Sequence, residues 1–271
     1  MRYLTLIFLI LPLILFSWRI PTRTPFPQQS GTAMTFGCFF PAMTPPPPLQ
    51  DYGKLYAIFP RWGGYLNRFC SWDCSQNVYP GVWDTSLPQL PTTTGYPGDG
   101  VSLCYFADWA AWESFIFCIP GLAPPSNPRN EFWVYHIEGR TWYRLPDVPN
   151  PSTTIGYGSD MCLGRIVHNI YPDRPALEIY VLKGTCDPNL INNEFYVFYF
   201  PLGIPVVQKL QLIGNYREGV WKRLADFEHG PNAQMTFVPQ ETAIYAFRGR
   251  AGGDDIVFRY SIRNNEWTRM P

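Results

Sequence analysis

Residues 230–271 read GPNAQMTFVPQETAIYAFRGRAGGDDIVFRYSIRNNEWTRMP. A first apolar run opens this stretch, a second ends at the glycine pair Gly252 and Gly253, and a third ends at Tyr260. A polar turn then leads to a last short run around Trp267. Short runs of β-forming residues between turn residues predict strands, and two such runs joined by a tight polar turn predict a hairpin. The stretch therefore predicts a four-stranded antiparallel unit.

The same unit recurs three times earlier in the chain. Each copy has one tryptophan near its end, and the four tryptophans are Trp83, Trp142, Trp221 and Trp267. Tyr135 precedes Trp142 by seven residues, as Tyr260 precedes Trp267, so both pairs are predicted in a terminal hairpin. The third unit is the longest and carries an insertion around residues 206–216. Repetition of one strand order predicts four structural units of one kind.

The composition favours an all-β protein. The chain has 271 residues, of which 46% are hydrophobic and 15% charged, with 22 glycines and 29 prolines. Long surface helices need more charged residues and fewer helix breakers than this. The 21 basic and 21 acidic residues give a net charge of +0, so no overall field attracts nucleic acid. We expect no nucleic-acid partner.

The repeated unit resembles the blade of a kelch-repeat β-propeller. The resemblance covers residues 31–271 and is closest over 230–271, where Gly252, Gly253, Tyr260 and Trp267 stand at the expected places. The first unit matches more loosely, at Gly63, Gly64, Phe69 and Trp83. The resemblance implies an all-β propeller of about four four-stranded antiparallel blades, with the repeat tryptophans packed between blades as structural residues.

The blade boundaries follow from the repeats. The predicted blades are 31–91, 92–149, 150–227 and 228–271. Kelch propellers usually have more blades than this, so three arrangements stay open. These are a closed four-bladed ring, a half-ring completed by a second copy, and a fifth blade within residues 150–225. An oligomer is therefore one possible outcome.

The first eighteen residues have the pattern of a signal peptide. Arg2 is followed by a predominantly apolar stretch from Leu4 to Phe16, and residues 19–30 are predicted as a linker. As a helix this stretch reaches about 20 Å, less than the roughly 30 Å hydrocarbon core, so we expect no integral membrane span. The alternative that this segment is an uncleaved signal anchor stays open. The predicted location is secreted or at the extracellular surface.

Cysteine spacing predicts disulfide bonds in an exported protein. Cys104 and Cys118 flank a predicted hairpin turn in the second unit, and Cys162 and Cys186 repeat the arrangement in the third. Cys70 and Cys74 are further candidates, together with Cys38.

The seven cysteines form an odd number, so one of Cys38, Cys70 and Cys74 stays unpaired within the chain. The Cys70–Cys74 spacing lacks a neighbouring cysteine or histidine pair, and we predict neither a metal site nor a cofactor.

Aromatic residues predicted in loops are the candidates for ligand binding, because exposed rings on a rigid face bind proteins or sugars. They are Trp62, Tyr65, Trp72, Tyr96, Trp109 and Trp112. Asp99 and Asp160 precede the first strands of the second and third units, near the predicted axis, where the acids of propeller glycosidases converge. Aspartate beside glycine or serine is also typical of turns.

These observations predict a secreted or cell-surface, kelch-like propeller that binds a protein or a glycan on a loop face without catalysis. One alternative is a glycan-active enzyme that uses Asp99 and Asp160. The other is a self-assembling surface protein, in which open blade edges pair between copies.

Overall fold

The computed structural model describes most of the chain in thirteen segments. These are residues 33–37, 54–59, 68–73, 83–91, 97–98, 100–121, 130–149, 155–156, 158–184, 194–216, 220–227, 233–248 and 256–271. The signal segment 1–18 and the linker 19–30 lie outside them.

The described strands form four antiparallel sheets of four strands each. Blade 1 contains β1 (Ala33–Gly37), β2 (Lys54–Phe59), β3 (Arg68–Asp73) and β4 (Trp83–Asp84). Blade 2 contains β5 (Ser102–Asp108), β6 (Glu113–Ile119), β7 (Phe132–His136) and β8 (Thr141–Leu145). Blade 3 contains β9 (Asp160–Tyr171), β10 (Arg174–Leu182), β11 (Phe195–Pro201) and β12 (Trp221–Arg223). Blade 4 contains β13 (Ala233–Val238), β14 (Ala243–Arg248), β15 (Ile256–Ser261) and β16 (Glu266–Arg269).

The four sheets are arranged as a β-propeller, which confirms the predicted fold class. Within each sheet the strands pair in chain order, and the described strands of one blade do not enter another sheet. The first strands of consecutive blades contact one another, β1 with β5, β5 with β9, and β9 with β13. These first strands therefore lie innermost, around the axis.

The insertion in blade 3 forms a helix instead of a fifth blade. Helix α1 (Val206–Asn215) lies between β11 and β12, and a single 3₁₀ turn (Pro239–Glu241) joins β13 to β14. Neither helix of the described segments is long and apolar enough to cross a membrane.

The middle strands of blades 2 and 3 are buried on both faces. Every residue of β11 is buried, as are six of the seven residues of β6. A strand sandwiched between two neighbouring blades has no solvent face, so its sequence is a continuous apolar run without alternation. This explains why runs such as FYVFYFP form strands here.

The repeat tryptophans build the same contact at three blade junctions. In each case the indole N–H donates to a backbone carbonyl of the preceding blade, Trp142 to Pro88 at 3.0 Å, Trp221 to Pro146 at 3.1 Å and Trp267 to Ala225 at 3.1 Å. The rings pack on phenylalanines of that blade, Trp142 on Phe69, Trp221 on Phe132 and Trp267 on Phe195. One residue thus supplies both the apolar contact and the directional bond of each junction.

The structure corrects the predicted Cys104–Cys118 disulfide. Cys104 pairs with Phe117 across the β5–β6 ladder, whereas Cys118 pairs with Leu103. Because successive side chains of a strand point to opposite faces, this offset of one residue places the two thiols on opposite faces of the sheet. Both thiols are free and buried.

Cys70 and Cys162 are also free and buried. Their predicted partners, Cys74 and Cys186, lie outside the described residues, as does Cys38.

Candidate binding surface

Two of the predicted binding residues lie on one tight turn between β5 and β6. The β ladder ends at the pair Asp108 and Glu113, and the N–H of Ala111 donates to the carbonyl of Asp108 at 3.2 Å. Trp109 and Trp112 occupy the turn and are 42% and 47% exposed. The chain thus places two large aromatic side chains at the surface within four residues.

The turn keeps Trp112 in an unusual backbone conformation. Its φ is +59°, in the left-handed region that residues other than glycine rarely adopt. That conformation costs roughly 1–2 kcal/mol for a residue with a side chain. Surrounding contacts must therefore hold the turn in place.

Those contacts come from the insertion of blade 3. The N–H of Gly203 donates to Oδ2 of Asp108 at 2.8 Å, and the N–H of Val206, the first residue of α1, donates to Oε1 of Glu113 at 3.0 Å. Gly203 has a φ of +74°, which glycine adopts readily. Both ends of the tryptophan turn are therefore anchored to the start of α1, and a carboxylate beside a helix N-terminus also stabilises the helix dipole.

A fully buried lysine completes this anchor. Nζ of Lys209 lies 2.8 Å from Oδ2 of Asp108 and 3.3 Å from Oε2 of Glu113, and its side chain has 0% exposure. The ammonium also donates to the carbonyl of Ile204 and lies 5.1 Å from the ring centre of Phe115. We call Asp108, Glu113 and Lys209 the buried ion cluster. Each charge in it has a partner, as burial of charge requires.

His136 extends the cluster on the blade 2 side. Its Nε2 lies 3.2 Å from Oε2 of Glu138 and 3.7 Å from Oε1 of Glu113, and its ring stacks on Phe115 at 5.5 Å. Burial by itself would raise the pKa of Glu138, but the adjacent imidazole of His136 and a hydrogen bond from the N–H of Ser114 outweigh it and lower that pKa. Glu138 is thus held as a carboxylate.

The outward face of α1 carries no charge. Lys209 is the single charged residue of the helix and points inward, while Val207, Gln208 and Gln211 are exposed. A surface helix ordinarily shows the reverse pattern, with charged residues toward water. The tryptophan turn is bonded to the segment that begins α1, and we call Trp109, Trp112 and these three helix residues, taken together, the tryptophan–helix patch.

The other predicted binding residues do not join this patch. Trp72 is buried in β3 and pairs with Trp83 of β4. Trp62, Tyr65 and Tyr96 lie outside the described residues.

Sequence reasoning missed the buried ion cluster. Its signal was a lone lysine in the otherwise uncharged segment VVQKLQLIGN (206–215). A single charge in such a segment indicates a buried, paired side chain.

Asp160 links the innermost strands of three blades through hydrogen bonds. One carboxylate oxygen accepts a bond from the Ser102 hydroxyl at 2.9 Å, and the other accepts the Met235 N–H at 2.6 Å. Both oxygens are therefore engaged in contacts between blades. Asp99, the other predicted acid, lies outside the described residues.

We expect Asp160→Ala to lower the free energy of unfolding by about 2 kcal/mol, because the Met235 N–H and the Ser102 hydroxyl lose their buried partner. Asp160→Asn preserves both contacts, since its amide oxygen can accept from Met235 and its amide nitrogen can donate to Ser102. Urea denaturation of the two variants measures the difference. Equal losses in both variants would contradict this role.

The pH dependence of stability provides a second readout of Asp160. Burial raises its pKa above the ordinary 3.8, although bonds from Met235, Met161 and Ser102 oppose the rise. The folded state therefore holds this proton more tightly than the unfolded state. Its stabilising effect is complete below the unfolded pKa and is lost as pH rises through the folded pKa. We expect the stability of the parent relative to Asp160→Asn to decrease as pH rises above the ordinary pKa of 3.8.

Within the described segments, no group of three or more acidic, histidine or cysteine side chains is placed to hold a metal ion. The predicted glycine pairs, Gly63 with Gly64 and Gly252 with Gly253, lie outside those segments. Tyr260 pairs directly with Trp267 across β15 and β16.

The chain matches no protein-family model and no curated protein.

Proposed function

We propose that this propeller is a non-catalytic binding module that docks a protein partner on the tryptophan–helix patch. The observation that carries the proposal is the exposure of two tryptophans on one turn whose ends are fixed by the buried ion cluster. Rigid aromatic side chains lose little conformational freedom on binding and are the commonest anchors of interfaces.

The composition of the patch favours a protein partner over a glycan. The centre of a protein interface is enriched in aromatic residues and depleted of charge. The patch has two tryptophans, the apolar Val207 and two uncharged glutamines. The nearest carboxylates, Asp108 and Glu113, already accept bonds from Lys209 and the backbone, so they are not available to sugar hydroxyls.

The engaged carboxylates also favour binding over catalysis. Asp108, Glu113 and Asp160 each accept bonds that hold blades or the helix in place. A general acid or base must instead reach a substrate proton. These three acids therefore support the architecture.

The test is selection of a displayed peptide library on the parent protein, followed by affinity measurement on variants. We expect Trp109→Ala with Trp112→Ala to weaken the selected peptides at least about 100-fold, since interface tryptophans commonly contribute 2 kcal/mol or more each. The melting temperature should stay within about 2 °C, because both rings are half-exposed.

Phe247→Ala is the matched control, since Phe247 is an aromatic residue of blade 4 that is 51% exposed. It should leave peptide affinity unchanged. Equal binding by the parent and the double tryptophan variant would overturn the proposal. If the parent bound glycans on an array and the double variant lost that binding, the binding surface would be correct but the partner would be a glycan and not a protein.

We further propose that the protein is a kelch-like propeller that acts outside the cell. The glycine and tryptophan positions support the kelch-like assignment, and the signal pattern of residues 1–18 supports export. N-terminal sequencing of protein from the medium should give a start near residue 19. Intact protein confined to the cytosol would contradict export.

A further inference from the structure

One face of blade 4 is exposed at the surface. Its central cross-strand row consists of Phe247 with its two strand partners, Gln234 and Val257. Phe247 is 51% exposed, Gln234 is exposed and Val257 is partly exposed. The neighbouring row of the same face also has no buried residue and consists of Thr236, Tyr245, Arg259 and Thr268. We call these seven residues the outer face of blade 4.

The corresponding faces of blades 2 and 3 are buried by the next blade. In blade 2, Phe115 and Phe117 are fully buried and both pack edge-on against Phe200 of blade 3. In blade 3, Phe195 is fully buried and packs edge-on against Tyr260 of blade 4. The outer face of blade 4 thus has the position of a junction face but the exposure of a surface. Exposed apolar side chains grouped on one rigid face are typical of an interaction site.

The charges beside this apolar centre form a pair. Oε2 of Glu241, in the 3₁₀ turn before β14, accepts bonds from the Tyr245 hydroxyl at 2.6 Å and from Nε of Arg259 at 3.2 Å. The Glu241 and Arg259 side chains are 47% and 33% exposed, so both charges are available at the surface. A two-fold axis can place the acid of one copy beside the base of another. The face is therefore complementary in charge to a copy of itself.

The size of the face fits a reversible dimer. Three strands of this sheet have six residues each. Six residues span about 20 Å and four strands about 19 Å, which gives a footprint of about 400 Å² per copy. Interfaces that bury less than about 1,200 Å² in total are typical of weak or transient association. We therefore expect a dissociation constant in the micromolar range.

We propose that the outer face of blade 4 is a self-association surface, on which a second copy of this chain docks by its own outer face. The two four-stranded sheets stack face to face about 10 Å apart, as the sheets of a β-sandwich do. The rows of Phe247 and Val257 fill the centre, and the pairs of Glu241 and Arg259 lie at the rim. The tryptophan–helix patch belongs to blades 2 and 3, so the two surfaces act independently.

Sedimentation velocity of the protein between about 0.1 and 100 µM tests the dimer, because mass action shifts the population toward dimer with concentration. We expect the parent to pass from monomer to dimer across this range. Phe247→Asp places two carboxylates opposite each other in the interface, and like charges in that arrangement cost several kcal/mol. It should raise the dissociation constant at least about 100-fold, with unchanged affinity for peptides selected on the tryptophan–helix patch.

Gln234→Lys provides a second disrupting variant if Phe247→Asp fails to fold, because Gln234 is exposed and its replacement keeps the Phe247 ring. It should raise the dissociation constant at least about tenfold. Trp112→Asp, at an exposed aromatic residue of blade 2, is the matched control and should dimerise as the parent does. A parent that stays monomeric throughout the concentration range would overturn the proposal. So would a dimer that the blade 4 variants leave unchanged, or one that Trp112→Asp weakens equally.

Discussion

Lys209→Met is expected to lower the free energy of unfolding by about 3–5 kcal/mol. The change keeps an apolar side chain in the site but removes the positive charge that pairs with Asp108 and Glu113. Both carboxylates then lose their shared cation in a buried site, where they keep the hydrogen bonds from the N–H groups of Gly203 and Val206. Urea denaturation gives the change in free energy, and Lys222→Met, at an exposed position of β12, should change it by less than about 0.5 kcal/mol.

The combined variant Lys209→Met, Asp108→Asn and Glu113→Gln separates charge from packing. We expect it to regain part of the lost stability, since neutral amides still accept the N–H groups of Gly203 and Val206. A loss in Lys209→Met no larger than that in Lys222→Met would contradict the buried ion cluster. So would a triple variant less stable than the single variant.

Trp142→Ala is expected to cost about 3–5 kcal/mol through lost apolar burial and the cavity left behind. Trp142 lies 5.0 Å from Phe69 and 5.1 Å from Tyr135, measured between ring centres, and is almost fully buried. Trp142→Phe retains most of the apolar contact and loses the bond to Pro88, so it should cost less. Calorimetric melting of both variants gives the ranking.

Trp112→Ala is the comparison for an exposed tryptophan of the same blade, and its melting temperature should match that of the parent. A Trp142→Ala variant as stable as Trp112→Ala would show that the repeat tryptophan does not hold the junction. If it also lost ligand binding, Trp142 would be a contact residue.

The sequence was sufficient to predict features set by local spacing. Trp142 follows Tyr135 by seven positions across one hairpin turn, and the two residues pair directly in the sheet. Repetition of this spacing at Tyr260 and Trp267 identified the last hairpin of another blade. Four strands in chain order then follow from short connections and antiparallel pairing.

Features set by register and by distant packing could not be predicted in this way. Cys104 and Cys118 flank the predicted turn, but a pairing offset of one residue places their side chains on opposite faces of the sheet. Lys209 meets Asp108 only because the insertion of blade 3 folds back over the turn of blade 2. The sequence around Lys209 does not indicate a contact with Asp108, and the sequence around Asp108 does not indicate one with Lys209.

Hydrogen–deuterium exchange of the parent, with and without a selected peptide, tests the proposed docking surface most directly. We expect protection on binding to be concentrated in residues 108–113 and 206–216, which contain the tryptophan turn and α1. The same peptide should give no protection in the variant that lacks Trp109 and Trp112. Protection centred on any other part of the propeller would contradict the assignment of this patch as the binding surface.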